Sequence, residues 1–322
     1  MEPIIPAVDP RLLEQELTEH NFVRNTNNGH NKIYVFEAQD APNLMRELGR
    51  LREITFRDAG GGTGKSIDID EYDSSDHPFQ QLIVWNPEYK EIVGGYRYIH
   101  GKDIPCNTEG SLHSATAELF DCSRKFIDDY LPVSIELGRS FVQPAYQPLV
   151  NFKKGMYSLD NLWDGLGAII IENPDVKFFF GKMTMYPHYN KTARDIILYF
   201  LEKFFPDHEN LLTPGDPVIP ETDESYITSL FTGTTFEENY KILIHQIRKH
   251  NENVPPLVNA YMNLSPTMRT FGTAINRDFG NVEETGILIN INDIYPRKKE
   301  RHLKSYIRRI SSLRNLKLRR KK

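Results

Sequence analysis

Glu136 and Arg139 stand three residues apart in Ser134–Tyr146, SIELGRSFVQPAY: a carboxylate that can take a proton and a guanidinium that can hold an anion. Ile135, Leu137 and Phe141 alternate with Glu136 and Ser140, the pattern of a half-buried strand. On a regular strand, residues three apart point to opposite faces. Gly138 lies between them, where a bulge would bring both side chains toward one cleft. Taken alone, the stretch reads equally well as a strand with two solvated charges. Its company upstream is Arg52 and Phe56 in LREITFRDAG, Asp70 and Asp73 in IDIDEYD, Arg97 in EIVGGYRYI and Phe120 in ELF.

The ordered series R-x3-F, D-x2-D, G-x2-R, F, E-x2-R resembles the acyl-homoserine-lactone synthases. It is still more similar to their relatives, the ornithine-lipid and glycine-lipid N-acyltransferases, the hemolysin-like branch of the GNAT acyltransferases. The likeness continues through Gly138–Tyr146, where those lipid enzymes carry a similar G-R-S-x-V-x-P-x-Y, and through FFFGKMTMYPHYNKTARDIILYFLEKFF. It spans the chain from about Ile33 to Asp293. The resemblance implies an α/β GNAT-like acyltransferase fold: a mixed, mostly antiparallel sheet splayed at a central bulged strand, Ile135–Val142, with helices on both faces. The acyl thioester would lie in the resulting crevice.

Moving an acyl group from a thioester to an amine requires a base for the ammonium, donors for the developing oxyanion and release of a thiolate. Glu136 is the candidate base, with Arg139 beside it. A glutamate has an ordinary pKa near 4.3, so apolar surroundings from Phe141 and Phe178–Phe180 would have to raise it. The alternative is that Glu136 only pairs with Arg139 or Arg97. Arg52, Arg97 and Arg139 beside Asp70 and Asp73 read as an interior ion-pair network that fixes a lid and holds an acceptor carboxylate. Phe56, Phe120 and Phe141 are expected to wall the acyl pocket. Where the lactone synthases carry a Trp in the lid, this chain has GGG, which argues against lactone-type chemistry. The loop QPLVNFKKGMY lacks the coenzyme A pyrophosphate pattern and offers Lys153, Lys154 and Gly155, which suit a phosphopantetheine arm on an acidic acyl carrier protein; the alternative is a solvated basic turn. No other cofactor and no metal site is expected. The implied reaction is transfer of a long acyl chain, 3-hydroxylated or not, from acyl carrier protein to the α-amine of an amino acid. Glycine is the first choice of acceptor and ornithine the second. The rivals are a lactone-type signal synthase and a non-enzymatic, membrane-active hemolysin-like protein.

Ala59–Ser66, AGGGTGKS, satisfies a permissive phosphate-loop pattern, but a helix precedes it and the acidic IDIDEYDSSD follows. It reads as a glycine hinge or lid. His113 in HSATAE and His188 in MYPHYN lack companions for catalysis and read as surface and structural residues.

At 322 residues, with 39% hydrophobic and 26% charged residues, the chain has the composition of a soluble protein with a sizeable core. Cys106 and Cys122 make no disulfide framework and read as reduced thiols. No apolar run reaches membrane-spanning length, and MEPIIPAVDPR is not a signal peptide, so a cytoplasmic protein is expected. The net charge of −5 hides an asymmetry: residues 297–322 carry thirteen Lys or Arg against one Glu, leaving −17 on the rest. So acidic a body argues against nucleic acid as the main partner.

The elements that would position these residues follow from periodicity. Residues 1–30 read as an irregular leader, 31–296 as the acyltransferase domain with a helical insert at about 206–254, and 297–322 as a basic amphipathic tail. NKIYVFEA is a strand, APNLMRELGRLREITFRDA a helix, and QQLIVWN with EIVGGYRYI a hairpin in a half-buried sheet. A short helix is expected near Ser114–Phe120, a helix over Tyr157–Glu172 capped by Ser158 and Asn161, and another over 224–250. In the tail, Leu303, Tyr306, Ile307, Ile310 and Leu313 fall at helical steps among cations. This pattern suits an anionic membrane surface, with a solvated or RNA-binding tail and a carrier-protein dock as alternatives.

Overall fold

The computed structural model describes residues 1–107, 111–147, 150–303 and 306–307. In chain order its elements are α1 (Pro10–Glu16), β1 (Phe22–Asn25), β2 (Lys32–Phe36), α2 (Pro42–Asp58), α3 (Glu71–Ser74), β3 (Gln80–Asn86), β4 (Glu91–His100) and β5 (Phe120–Cys122). There follow β6 (Ser134–Val142), α4 (Phe152–Gly155), α5 (Ser158–Glu172), β7 (Phe178–Met185), α6 (Lys191–Phe204) and β8 (Leu212–Pro214). The chain then forms α7 (Glu224–Leu230), α8 (Phe236–Lys249), α9 (Pro256–Met262), β9 (Arg269–Asn276) and β10 (Val282–Asn290).

Eight strands form one sheet in the order β1-β2-β3-β4-β6-β7-β10-β9. Every neighbouring pair is antiparallel except β6 with β7. The α/β fold class holds, and the strands read at β2, β3, β4 and β6 form. The hairpin β3–β4 is not half-buried, however. Leu82 and Val84 pack into the core shared with α5, α6, α8 and α9, while Ile83 and Trp85 pack against α2. Both faces are covered, so strict alternation gives way to a continuous apolar run.

Residues 1–30 are not an irregular leader. Leu13 of α1 is buried, and the Glu16 carboxylate accepts from the Asn43 and Leu44 N–H groups at 3.0 and 2.7 Å, capping α2 from a distance. Because α2 begins at Ala41-Pro42 with no side-chain cap of its own, this borrowed carboxylate satisfies its free N–H groups and orders the segment before it. β1 then pairs with β2 at the edge of the sheet. The segment before Phe120 forms turns rather than a helix, and β5 pairs with β8. The helix over 224–250 is two helices, because Thr235 and Glu238 form a capping box that starts α8 afresh. Neither Ser158 nor Asn161 caps α5; the Ser158 hydroxyl donates to the Tyr146 carbonyl instead.

The C-terminal segment is part of the fold as far as it is described. Residues 296–303 are helical, and His302 Nδ1 lies 2.8 Å from the buried Asp164 carboxylate of α5, which also accepts from Asn27. Arg301 pairs with Asp160, Arg24 donates to the His302 carbonyl, and Tyr306 is buried where its hydroxyl meets Glu172. Of the apolar residues expected on one face, Tyr306 turns inward toward α5 and β1, Leu303 is half-buried beside α5, and Ile307 is exposed. Ile310 and Leu313 lie outside the described residues. Cutting the chain after Asp293 removes His302 from the buried Asp164 carboxylate and Tyr306 from its buried place, and we expect a loss of about 2–4 kcal/mol in urea unfolding. An unchanged urea midpoint would show the segment to be a passenger.

Candidate active site

The centre of the sheet comes apart at β6. β4 and β6 pair through Arg97 and Gly138 and resume at Gly95 and Phe141, so Arg139 and Ser140 together face Tyr96. This is a β-bulge, which takes both residues off the ladder. The turn is made by Arg139, at φ 47°, and not by Gly138. A left-handed conformation costs a non-glycine residue about 1–2 kcal/mol. Against this stand ion pairs from Arg139 to Asp68 at 2.9 Å and to Asp70 at 3.3 Å, with the guanidinium 4.2 Å over the Phe279 ring.

On its other side β6 pairs with β7 only as far as Leu137 and Gly181, and the strands then diverge. At that point a Cβ on residue 181 would lie 2.3 Å from the Leu137 carbonyl, so glycine alone lets the strands meet before they part. A crevice opens between them. Glu136, Arg139, Lys182 and Glu284 line its polar part, and Leu137, Trp163, Leu166, Phe179, Tyr261 and Leu264 its apolar depth. The apolar depth continues between α5, α9 and the C-terminal helical segment, where Leu159, Lys298 and Lys299 stand at the rim. The polar part opens the opposite way into a cleft that Lys65, Asp70, Arg97, Arg139, Lys182 and Asp278 share.

Glu136 is 1% exposed, at the junction of the two. Its Oε1 accepts from the Thr116 N–H at 2.8 Å and hydroxyl at 2.7 Å, while Oε2 has no hydrogen-bond partner among the described residues. Burial pushes its carboxyl above the ordinary range, against the Thr116 hydrogen bond and the Lys182 charge, which pull the other way. Glu136 pairs with neither Arg139 nor Arg97. Lys182 lies 3.2 Å from the Glu284 carboxylate. Burial would raise Glu284, but Lys182 holds it below its usual value.

Below the crevice the arginines form one chain of charges. Arg52, fully buried in α2, meets Asp73 at 3.3 Å and donates to Gln81. Asp73 and Asp70 bracket Arg97 at 3.2 and 2.5 Å, and Asp70 and Asp68 bracket Arg139. Burial would raise the Asp73 carboxyl; Arg52 and Arg97 outweigh it and hold it well below the carboxylate range.

Glu136, Arg139, Arg97 and Phe56 line the crevice, and Asp70 lines the polar cleft. Arg52 and Asp73 stand behind them. Phe56 meets Phe279 edge-on at 5.1 Å. Phe120 and Phe141 do not line the crevice: Phe120 is buried against Gly286 of β10, and Phe141 packs edge-on behind Phe56. Lys153, Lys154 and Gly155 lie in α4, away from the crevice lining. Lys154 is held by Glu91 at 3.3 Å and sits 3.8 Å over the Tyr89 ring, Gly155 is buried, and Lys153 alone of the three is exposed. Four residues at the site escaped the sequence: Asp68, Thr116, Lys182 and Glu284. Asp68 continues the alternation of IDIDEYD, and Lys182 is the lone charge in FFFGKMTM, so both left a trace; Thr116 left none.

The glycine-rich segment is not a free hinge. Gly60, Gly62 and Gly64 take positive φ, and the loop wraps the Glu53 carboxylate, which accepts from Thr63 N–H, Thr63 hydroxyl and Gly64 N–H at 3.1, 2.8 and 2.8 Å. Alternating backbone of this kind makes an anion nest. Here the anion is the protein's own, which explains why a phosphate-loop pattern appears without a phosphate site.

A bulged strand, a parting parallel neighbour and a buried carboxylate at the fork define the acyltransferase architecture of the GNAT superfamily. Residues 51–152 match the Acetyltransferase (GNAT) domain family. The chain is 57% identical over 307 residues to a glycine N(alpha)-acyltransferase of Bacteroides thetaiotaomicron, covering 95% of this chain and 91% of that protein. It is 54% identical over 308 residues to a glycine N(alpha)-acyltransferase of Phocaeicola vulgatus, covering 96% and 94%. No solved structure matches it. The chain belongs to the GNAT-superfamily N-acyltransferases and is an acyltransferase.

Two outcomes follow from the buried charges. Asp73→Ala leaves Arg52 and Arg97 without their shared anion and should cost about 3–5 kcal/mol in denaturant unfolding. A cost under about 1 kcal/mol would show that the network relaxes around the gap. Glu136, with its folded pKa raised, stabilises below the unfolded value and loses that contribution as pH rises through the folded value. Wild type should therefore lose stability relative to Glu136→Gln as pH climbs from the ordinary glutamate value toward neutrality, and parallel stability curves would contradict the burial argument.

Proposed function

We propose that the chain moves a long-chain fatty acyl group, 3-hydroxylated or not, from acyl carrier protein to the α-amine of an amino acid in aminolipid synthesis, with glycine the first choice of acceptor and ornithine the second. One observation carries this: the buried Glu136 carboxylate sits where a polar cleft meets an apolar passage through the sheet. A charged amine and a greasy thioester need just such opposite approaches. The names of both relatives support glycine as acceptor.

In this reading Glu136 takes a proton from the acceptor's ammonium, directly or through a water, and its raised pKa suits it to that exchange. The amine nitrogen then forms a bond to the thioester carbon. Backbone N–H groups that the bulge takes off the ladder at Arg139 and Ser140 serve as donors to the developing oxyanion. The C–S bond breaks, and the thiolate leaves with a proton. The carrier meets the exposed Lys153 and the cations Lys298 and Lys299 at the apolar rim, and its phosphopantetheine arm enters between α5 and α9. Among the described residues no helix is long and apolar enough to cross a membrane. The basic C-terminal residues hold the enzyme to an anionic membrane surface on its cytoplasmic side, where a lipid product is wanted.

The test is thiol release by the purified full chain. Glycine-dependent release should be far faster with acyl carrier protein than with the same chain on coenzyme A, and should fall as salt screens the docking. Equal use of both donors at low and high salt would remove the carrier protein. No release with glycine or ornithine would remove the acceptor. Glu136→Gln should lower turnover by roughly 10²–10⁴ with donor affinity kept, and a rate within a few-fold of wild type would remove Glu136 from the mechanism.

A further inference from the structure

Among the described residues, the polar cleft holds one cation that its surroundings leave unspent. Arg97 faces Asp70 and Asp73, Arg139 faces Asp68 and Asp70, and Lys182 faces Glu284. Each is neutralised by the chain's own carboxylates. Lys65 lines the same cleft, is exposed, and its ammonium has no ion pair or hydrogen bond among the described residues.

The backbone under Lys65 is fixed with unusual thoroughness for a surface loop. The Lys65 N–H donates to the Thr63 hydroxyl at 3.1 Å, and its carbonyl accepts from Arg57. On one side, the Gly64 N–H is held by Glu53, and the Gly64 carbonyl accepts from the Glu2 N–H at 2.8 Å. On the other, the Ser66 N–H donates to the Glu2 carboxylate at 2.8 Å, and its carbonyl accepts from the Ile5 N–H at 3.1 Å. A charged side chain on a pinned backbone is pre-organised to bind, because little backbone entropy remains to be lost.

We propose that Lys65 anchors the α-carboxylate of the acceptor amino acid, so that the glycine-rich segment is a substrate-positioning loop. The proposal rests on the acyltransfer reading above. The acceptor brings a carboxylate one carbon away from the amine that must reach Glu136. The other cations of the cleft are committed to internal pairs, and spending one on the ligand would leave a buried aspartate or glutamate uncompensated. Lys65 is available at no such cost. It also explains why a loop whose anion nest is filled by Glu53 still carries a lysine beside it. The nest holds the loop in shape, and the lysine reads the ligand.

The experiment compares glycine with glycinamide, which keeps the amine and lacks the carboxylate charge, using wild type, Lys65→Gln and Lys65→Arg. Wild type should use glycine much better than glycinamide. Lys65→Gln should raise the KM for glycine roughly 10–100-fold, as for one lost charge-assisted hydrogen bond, with kcat and the KM for the acyl donor within a few-fold. Its preference for glycine over glycinamide should shrink by the same factor, and Lys65→Arg should restore part of it. If Lys65→Gln keeps the wild-type KM and preference, Lys65 is not the anchor. If wild type itself uses glycinamide as well as glycine, no cation reads the carboxylate, and the proposal falls without any variant. A wild-type enzyme that acylates neither compound counts against glycine as acceptor, a failure of the underlying reading distinct from this one.

Discussion

The alternating chain Arg52–Asp73–Arg97–Asp70–Arg139–Asp68 is the constraint on which the rest of the site depends. It links α2, the acidic segment at 68–73, β4 and the bulge of β6, four pieces separated widely in sequence. Arg52, Asp73, Arg97 and Asp68 are buried, and leaving one of them unpaired is costly, while Asp70 and Arg139 carry the series out to the polar cleft. Arg139 is the member that matters most for shape. Its pairs to Asp68 and Asp70 hold a non-glycine residue in a left-handed turn, and that turn takes the strand off the ladder beside Glu136. Electrostatics here fixes backbone geometry, and backbone geometry opens the crevice.

The same logic separates the two sides of Glu136. Charges paired within the chain make the polar cleft stiff and close to neutral, while the passage on the far side is walled by Trp163, Leu166, Tyr261 and Leu264. The carboxylate at the junction feels both. Burial raises its pKa, and Thr116 fixes one oxygen without quenching the other.

Much of this was legible in the residues. Strand and helix periodicity located β2, β3, β4 and β6 together with α2 and α5, because amphipathic patterns are written locally. The arginines and aspartates pointed to an interior network because their ordered series resembles that of the lipid N-acyltransferases. What stayed hidden depends on contacts made far along the chain. Glu16 caps a helix 26 residues away, His302 meets Asp164 across the molecule, and Thr116 reaches Glu136 from a loop of turns. Phe120 reads as a pocket wall from its place in the series, yet its ring is taken up by Gly286. The amphipathic spacing around Tyr306 is real, but spacing cannot say whether an apolar face turns toward a lipid or toward the protein's own α5.

The divergence of β6 and β7 has one more consequence. Past Leu137 and Gly181 the middle of the sheet carries two facing edges, rows of backbone donors and acceptors that an ordinary sheet exposes only at its rim. Here they are turned inward, where another protein chain cannot add to them. An extended ligand bearing amide groups can, by completing the interrupted ladder as an added strand would. Backbone in the gap and side chains along the passage thus present two separate kinds of surface, and a substitution on one leaves the other unchanged.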